Sequence, residues 1–154
     1  MSETQVTVER EMAAPAETVW ALVSDVTRMG EWSPETVEAV WLGGATGPTV
    51  GACFKGKNQR GWHRWSSKCE VVEAEPGKSF AFDVTLGPLK VARWGYRFES
   101  TPEGCRVEER WEDHRGAFVK TVGGPATGVA DRAAHNRDGM ATTLANLAAA
   151  AESA

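Results

Sequence analysis

A carboxylate sits where a strand should be apolar, and it is the residue with the most chemistry to offer. Over 105–113 the charges Arg106, Glu108, Arg110 and Glu112 share one parity of an alternating run, while Glu109 falls with Val107 and Trp111 on the other. Successive side chains of a strand point to opposite faces, so Glu109 belongs to the apolar face. There it must be paired, hydrogen-bonded or protonated to avoid a cost of several kcal/mol. Two roles are open. Arg137, the one charged residue on the apolar stripe of the last helical segment, could hold it in a structural ion pair; alternatively the carboxyl contacts a ligand or moves a proton. Tyr96 is the single phenol of the chain and shares the inward parity of 90–100 with Trp94 and Phe98. It could donate to a ligand carbonyl or, as buried tyrosines commonly do, to a protein partner.

Other chemistries find less support. His63, His114 and His135 are spread over a strand start, a loop and the polar side of a helix, with no Asp or Glu at ligand spacing, so no metal site is expected. His114 could act as a base, although a solvated loop histidine is the plainer reading. No G-x-S-x-G elbow is present, and Gly43-Gly44 with Gly47 lacks the Lys and Ser/Thr of a phosphate loop; hydrolase and nucleotide chemistry have no footing, and no cofactor is expected. Cys53, Cys69 and Cys105 are odd in number and show no metal spacing, so they read as reduced packing residues.

These residues need elements to position them. Thr4–Met12 alternates as a strand, with Val6, Val8, Arg10 and Met12 on one side. Pro15 opens a short amphipathic helix over Ala16–Val26, carrying Val19, Trp20, Val23 and Val26; Asp25 or Thr27 caps a further turn through Met29 and Trp32, which Ser33-Pro34 ends. Six strands follow: Thr36–Leu42, Ala52–Asn58, His63–Ala74, Ser79–Thr85, Lys90–Ser100 and Cys105–Asp113. The segments GGATGPTVG, EPGK, LGP and TPEG turn the chain between them. A last helix over about 129–152 places Ala133, Arg137, Met140, Leu144, Leu147 and Ala151 on one stripe. Strand, two short helices, six strands and a long helix predict an α+β fold: a seven-stranded curved antiparallel sheet around the C-terminal helix.

With 154 residues the chain fits one domain, 1–154, and 42% hydrophobic with 25% charged residues is the composition of a soluble globular protein. No apolar run approaches the ~18 residues of a membrane span, and no basic-then-apolar leader opens the sequence, so a cytoplasmic protein without stable membrane insertion is expected. Net charge −4 disfavours nucleic acid. Lys55, Lys57, Arg60 and Arg64 around a Trp therefore read as a solvated face. Seven Trp against one Tyr make the aromatic content mostly indole, suited to lining something large or to an aromatic core.

The opening V-x-V-x-R-x-M-x-A-P-A-E-T-V-W-A-L-V-S-D from Val6, R-M-G-E-W-S-P-E from Arg28, W-L-G-G from Trp41, V-x-E-A-E-P-G-K-S-F-A-F from Val71 and H-N-R-D-G-M-A-T-T-L-A-N-L from His135 resemble the superfamily of START lipid-transfer domains, polyketide cyclases/aromatases and birch-pollen-allergen-like proteins. The resemblance spans nearly the whole chain and implies the helix-grip fold, with an internal cavity between the concave sheet and the long helix. With Lys68 and Glu70 outward in 63–74 and alternation applied to each strand in turn, Trp65, Ser67, Phe80, Phe82, Trp94, Phe98 and Trp111, with Met140 and Leu144 of the helix, would line that cavity; the bland alternative is a collapsed aromatic core. The glycine-rich segment 116–128 would be its lid. Two functions are then expected. One is a carrier or sensor binding a hydrophobic small molecule, a lipid, isoprenoid or polyketide, as a monomer or homodimer. The other is a polyketide cyclase/aromatase of the lyase type, in which Glu109, Tyr96 and Arg137 serve as catalytic groups for intramolecular aldol closure and dehydration.

Overall fold

A computed structural model of the chain describes residues 4–115 and 132–153. The expected lid at 116–128 and the expected first turn of the long helix at 129–131 lie outside those residues. Seven strands form one antiparallel sheet: β1 (Gln5–Met12), β2 (Thr36–Trp41), β3 (Cys53–Arg60), β4 (His63–Glu75), β5 (Ser79–Leu86), β6 (Leu89–Thr101) and β7 (Gly104–Asp113). Their order is β1-β7-β6-β5-β4-β3-β2, so every sequential pair from β2 to β7 is a hairpin neighbour and β1 closes on the last strand. Helix α1 (Ala16–Ser24) and a 3₁₀ turn (Val26–Glu31) join β1 to β2, and α2 (Arg132–Glu152) packs back on the sheet. This is the α+β helix-grip architecture.

Local chemistry explains the joints. Pro15 stands extended at the head of α1, and its carbonyl accepts from Thr18 and Val19. α1 stops at Ser24, two residues short of the expected end. The Asp25 side chain accepts the Thr27 N–H at 3.2 Å, and this side-chain cap starts the 3₁₀ turn in place of another helical turn. At the β6–β7 turn, Gly104 has φ +154° and crosses β1 so closely that a Cβ would collide with the Met12 carbonyl oxygen. Only glycine fits there.

Two elements end the expected stripes differently. A bulge between Val71 and Glu73 in β4 shifts the register, which brings Ala74 against the core although the strand's earlier inward residues are odd-numbered. On α2 the buried residues include Ala133, Asn136, Met140, Thr143, Leu144, Leu147 and Ala151, while Arg137 is exposed. At about 100° per residue, positions 136 and 137 straddle the face set by 133 and 140 almost equally. Geometry leaves the choice open, and desolvation makes it: the amide goes inward and the charged residue takes the exposed side.

The concave face is unevenly filled. α1 covers the end of the sheet around β5, β6 and β7, held by the Trp20 indole N–H donating to the Ser79 carbonyl at 2.7 Å. Under it, Phe80, Phe98, Val107, Leu144 and Leu147 are buried in one cluster, joined by Phe54 and Phe82 in an edge-to-face contact with centroids 5.1 Å apart. A smaller cluster of Val6, Ala92, Trp111, Ala133 and Met140 sits under the first half of α2.

Candidate functional site

Between those clusters the chain leaves a cavity of about 190 Å³. Its sheet wall carries Trp65, Ser67 and Cys69 of β4, Phe82 and Val84 of β5, Trp94 and Tyr96 of β6, and Glu109 and Trp111 of β7. Its roof is one face of α2, Arg132, His135, Asn136, Gly139, Met140 and Thr143, at the three- and four-residue steps of a helix. Trp32, Ser33, Pro34 and Glu35 close one side, with Pro34 next to Gly139 of α2. Trp65, Ser67, Trp94 and Tyr96 are only half-buried because part of their surface faces the hollow.

Of the residues expected at this site, Trp65, Ser67, Phe82, Trp94, Tyr96, Glu109, Trp111 and Met140 lie on the wall. Phe80, Phe98 and Leu144 do not. They belong to the packed cluster beneath α1, because alternation gives a side chain's face but not which end of that face another helix covers. Arg137 is also placed elsewhere: it is exposed on α2, so the expected Glu109–Arg137 pair is replaced by another partner for the carboxyl. Trp20 packs against the core, whereas Trp32 is both buried and on the wall.

Glu109 is 2% exposed, and its Oε2 accepts the Tyr96 hydroxyl at 2.8 Å. The two are directly opposed in the β6–β7 ladder, so the sheet itself holds the pair. Oε1 has no hydrogen-bond partner among the described residues. Burial pushes the carboxyl up to about 8, against a smaller opposing pull from the Tyr96 hydrogen bond. Burial and the adjacent carboxyl both raise the Tyr96 phenol well above its ordinary value. At neutral pH the pair is therefore a carboxylic acid and a phenol, both neutral; the phenol's proton is engaged on Oε2 and the acid's own proton is left to donate. Cys69, pushed up to about 12 by burial, stays a thiol and offers no nucleophile.

A second polar group borders the cavity. Arg132 Nη1 meets the two Glu35 carboxylate oxygens at 2.8 and 3.1 Å, and His135 Nε2 lies 2.9 Å from Glu35 Oε2. The Arg132 guanidinium also stands 5.8 Å from the Trp65 ring centroid. Burial lowers the Arg132 pKa, Arg115 and Arg60 add to this, and Glu35 opposes it. Arg115 is held by Asp113 at 2.9 Å. Glu35, Arg132 and Asn136 were not expected from the sequence, and His135 was placed on a polar helix face. Glu35 and His135 are far apart along the chain, and no local spacing announces their meeting.

A curved antiparallel sheet gripping a long helix over an aromatic hollow defines a class of small-molecule-binding folds, the one that START domains and polyketide cyclases share. Residues 3–152 match the family model described as polyketide cyclase / dehydrase and lipid transport, and the chain belongs to that family. It is similar to the polyketide-cyclase-like protein Cgl2372 of Corynebacterium glutamicum at 32% identity and a TM-score of 0.59, covering 97% of this chain and 89% of that one. The di-domain aromatase/cyclase StfQ of the steffimycin biosynthetic pathway aligns with a TM-score of 0.76 at 15% identity over 97% of this chain and 51% of its own. Protein MLL2253 of Mesorhizobium loti aligns at 20% identity and a TM-score of 0.65 over 94% of each chain. The last two establish likeness of fold. No curated protein sequence matches the chain significantly.

Proposed function

We propose that the protein is a single ligand-binding domain that takes a hydrophobic small molecule into the cavity between sheet and helix, as a carrier or sensor. The observation that carries this reading is the hollow itself, a space walled by Trp32, Trp65, Trp94 and Trp111 that the described side chains leave open. Indole and phenyl walls reward a flat apolar body, at about 25 cal/mol per Å² of area removed from water. The volume of about 190 Å³ is below the ~300–1,000 Å³ of pockets for drug-sized ligands, which favours a compact ring system such as an aromatic polyketide or a short isoprenoid over a long acyl chain. Mass spectrometry of the protein purified without detergent tests the reading. The expected result is a discrete hydrophobic compound released on denaturation; a protein that carries none, and whose tryptophan fluorescence ignores a broad set of flat apolar compounds, would contradict it.

The Glu109–Tyr96 pair favours a second reading, a polyketide cyclase/aromatase. A protonated carboxylic acid on an apolar wall can polarise a carbonyl while the cavity holds a poly-β-ketone folded for aldol attack, with positioning worth up to roughly 7–11 kcal/mol. Arg137, exposed on α2, has no part in this version. Incubation with a poly-β-ketone precursor separates the two: cyclised product lost in Glu109→Gln supports the enzyme, and binding without turnover supports the carrier.

A further inference from the structure

Among the described residues two polar atoms inside the cavity lack protein partners, and they come from opposite walls. Glu109 Oε1, on the sheet, and Asn136 Nδ2, on α2, each belong to a residue at most 5% exposed, and neither atom has a hydrogen-bond partner among the described residues. Both residues face the hollow. Their chemistry is fixed by what their other atoms do. The Asn136 Oδ1 accepts from Arg132 Nη1 at 3.4 Å, which leaves its amide N–H₂ as the group without a protein partner, and that group is a donor only. The Tyr96 hydroxyl donates to Glu109 Oε2, so in the protonated acid the proton sits on Oε1. Buried polar atoms in native proteins find partners, and in a binding cavity that partner is water until a ligand atom replaces it.

We infer that Glu109 and Asn136 form a donor pair that selects a neutral, flat ligand bearing carbonyl or quinone oxygens, over an otherwise identical hydrocarbon. The inference rests on reading the cavity as a ligand site and adds what the ligand must carry. Two donors demand acceptors, and apolar walls exclude a charged head: an ionised ligand would lose its hydration against Trp65, Trp94 and Trp111. A ligand without an oxygen would displace water and leave both donors bare, at the full desolvation cost of each.

The inference also implies a pH dependence with a definite sign. The titratable and charged groups facing the hollow are Cys69 on β4, Tyr96 on β6, Glu35 before β2, Arg115 after β7, and Arg132 and His135 on α2. Among the described residues Tyr96 is the one that contacts the Glu109 carboxyl. Arg132 and His135 engage Glu35, and Arg115 engages Asp113. Ionisation of Glu109 turns its donor into an acceptor, so the preference for the carbonyl compound falls at high pH. A ligand that binds the protonated acid moves the midpoint of that fall upward from its value of about 8 in the free protein.

The test uses the intact protein, anthraquinone against anthracene as the matched pair, and quenching of tryptophan fluorescence as the readout at pH 6 and pH 10. The expected result at pH 6 is tighter binding of the quinone by roughly tenfold or more, about what a hydrogen bond left unmade inside a protein costs. That preference shrinks several-fold at pH 10. Glu109→Gln keeps an N–H donor and retains a preference that no longer responds to pH; Asn136→Ala, which has no amide to satisfy or to leave bare, narrows the preference for quinone over anthracene several-fold at pH 6. Thermal melting of each variant confirms its fold, and either variant alone suffices to decide. Equal binding of the two compounds at pH 6, or a pH response that survives in Glu109→Gln, overturns the donor pair and leaves the cavity reading standing. Binding of neither compound overturns both.

Discussion

Glu109 carries two consequences at the scale of a single side chain. Its carboxyl is raised by burial from an ordinary 4.5 to about 8, so below pH 4.5 both folded and unfolded chains hold the proton and nothing is lost. Between those values the unfolded chain releases the proton while the folded one keeps it, so stability falls as pH rises and levels off above about 8. Glu109→Gln should therefore match the natural protein near pH 4 and exceed it by a few kcal/mol at pH 8.5, as measured by urea denaturation across pH. A variant whose advantage does not grow with pH would contradict the assignment. Tyr96→Phe removes the hydroxyl that lowers the carboxyl's pKa and leaves Oε2 bare. The expected cost is about 1–3 kcal/mol, with the Glu109 titration moved still higher, which NMR of the side-chain carboxyl would report. The anomaly of Glu109 was legible because it breaks an otherwise regular alternation. Its partner was legible too, in the two residues Pro102 and Glu103 of the TPEG turn. Counting back from the closing pair Thr101–Gly104 sets Tyr96 opposite Glu109. Arg137 drew attention instead because opposite charge is a strong cue, and a helical stripe accepts positions 136 and 137 equally well.

Among the elements, the division of the concave face between α1 and the first half of α2 decides what is core and what is cavity. Leu144, buried at 1%, sits in the cluster beneath α1. Leu144→Ala should destabilise by about 2–5 kcal/mol in thermal or urea unfolding while leaving the affinity for a cavity ligand unchanged. Trp65, half-buried on the cavity wall and facing the Arg132 guanidinium, should behave the opposite way. Trp65→Ala is expected to cost little stability and to weaken ligand binding by tenfold or more in the same fluorescence titration, with the remaining tryptophans as reporters. Strand positions, turns and helix periods were readable from alternation and from Gly/Pro chemistry, except that α1 ends two residues early where Asp25 caps a turn and the register shifts where β4 bulges. The choice of which phenylalanines face the hollow was not readable, because it depends on where α1 lies across the sheet. That placement is set by tertiary contacts such as the Trp20–Ser79 hydrogen bond.

For the whole molecule, the sheet order and the grip of α2 follow from a short list of sequence signals, and the family match over residues 3–152 agrees with them. The rim assembled from Glu35, Arg132 and His135 does not follow from any of those signals. It exists because the turn after the 3₁₀ segment and the start of α2 are folded against each other, and only the closed chain brings them together. No described helix is long and apolar enough to cross a membrane. The central claim is that the hollow of about 190 Å³ is a binding site and not a packing defect. Ser67 stands half-buried on its wall, and a phenyl group at that position would occupy the space. The most direct test is titration of the natural protein and Ser67→Phe with a flat apolar probe such as anthraquinone, followed by tryptophan fluorescence. Saturable one-to-one binding that the filled variant abolishes, with its melting temperature held or raised, is the predicted result. Binding that does not saturate, or that Ser67→Phe leaves untouched, would contradict the account.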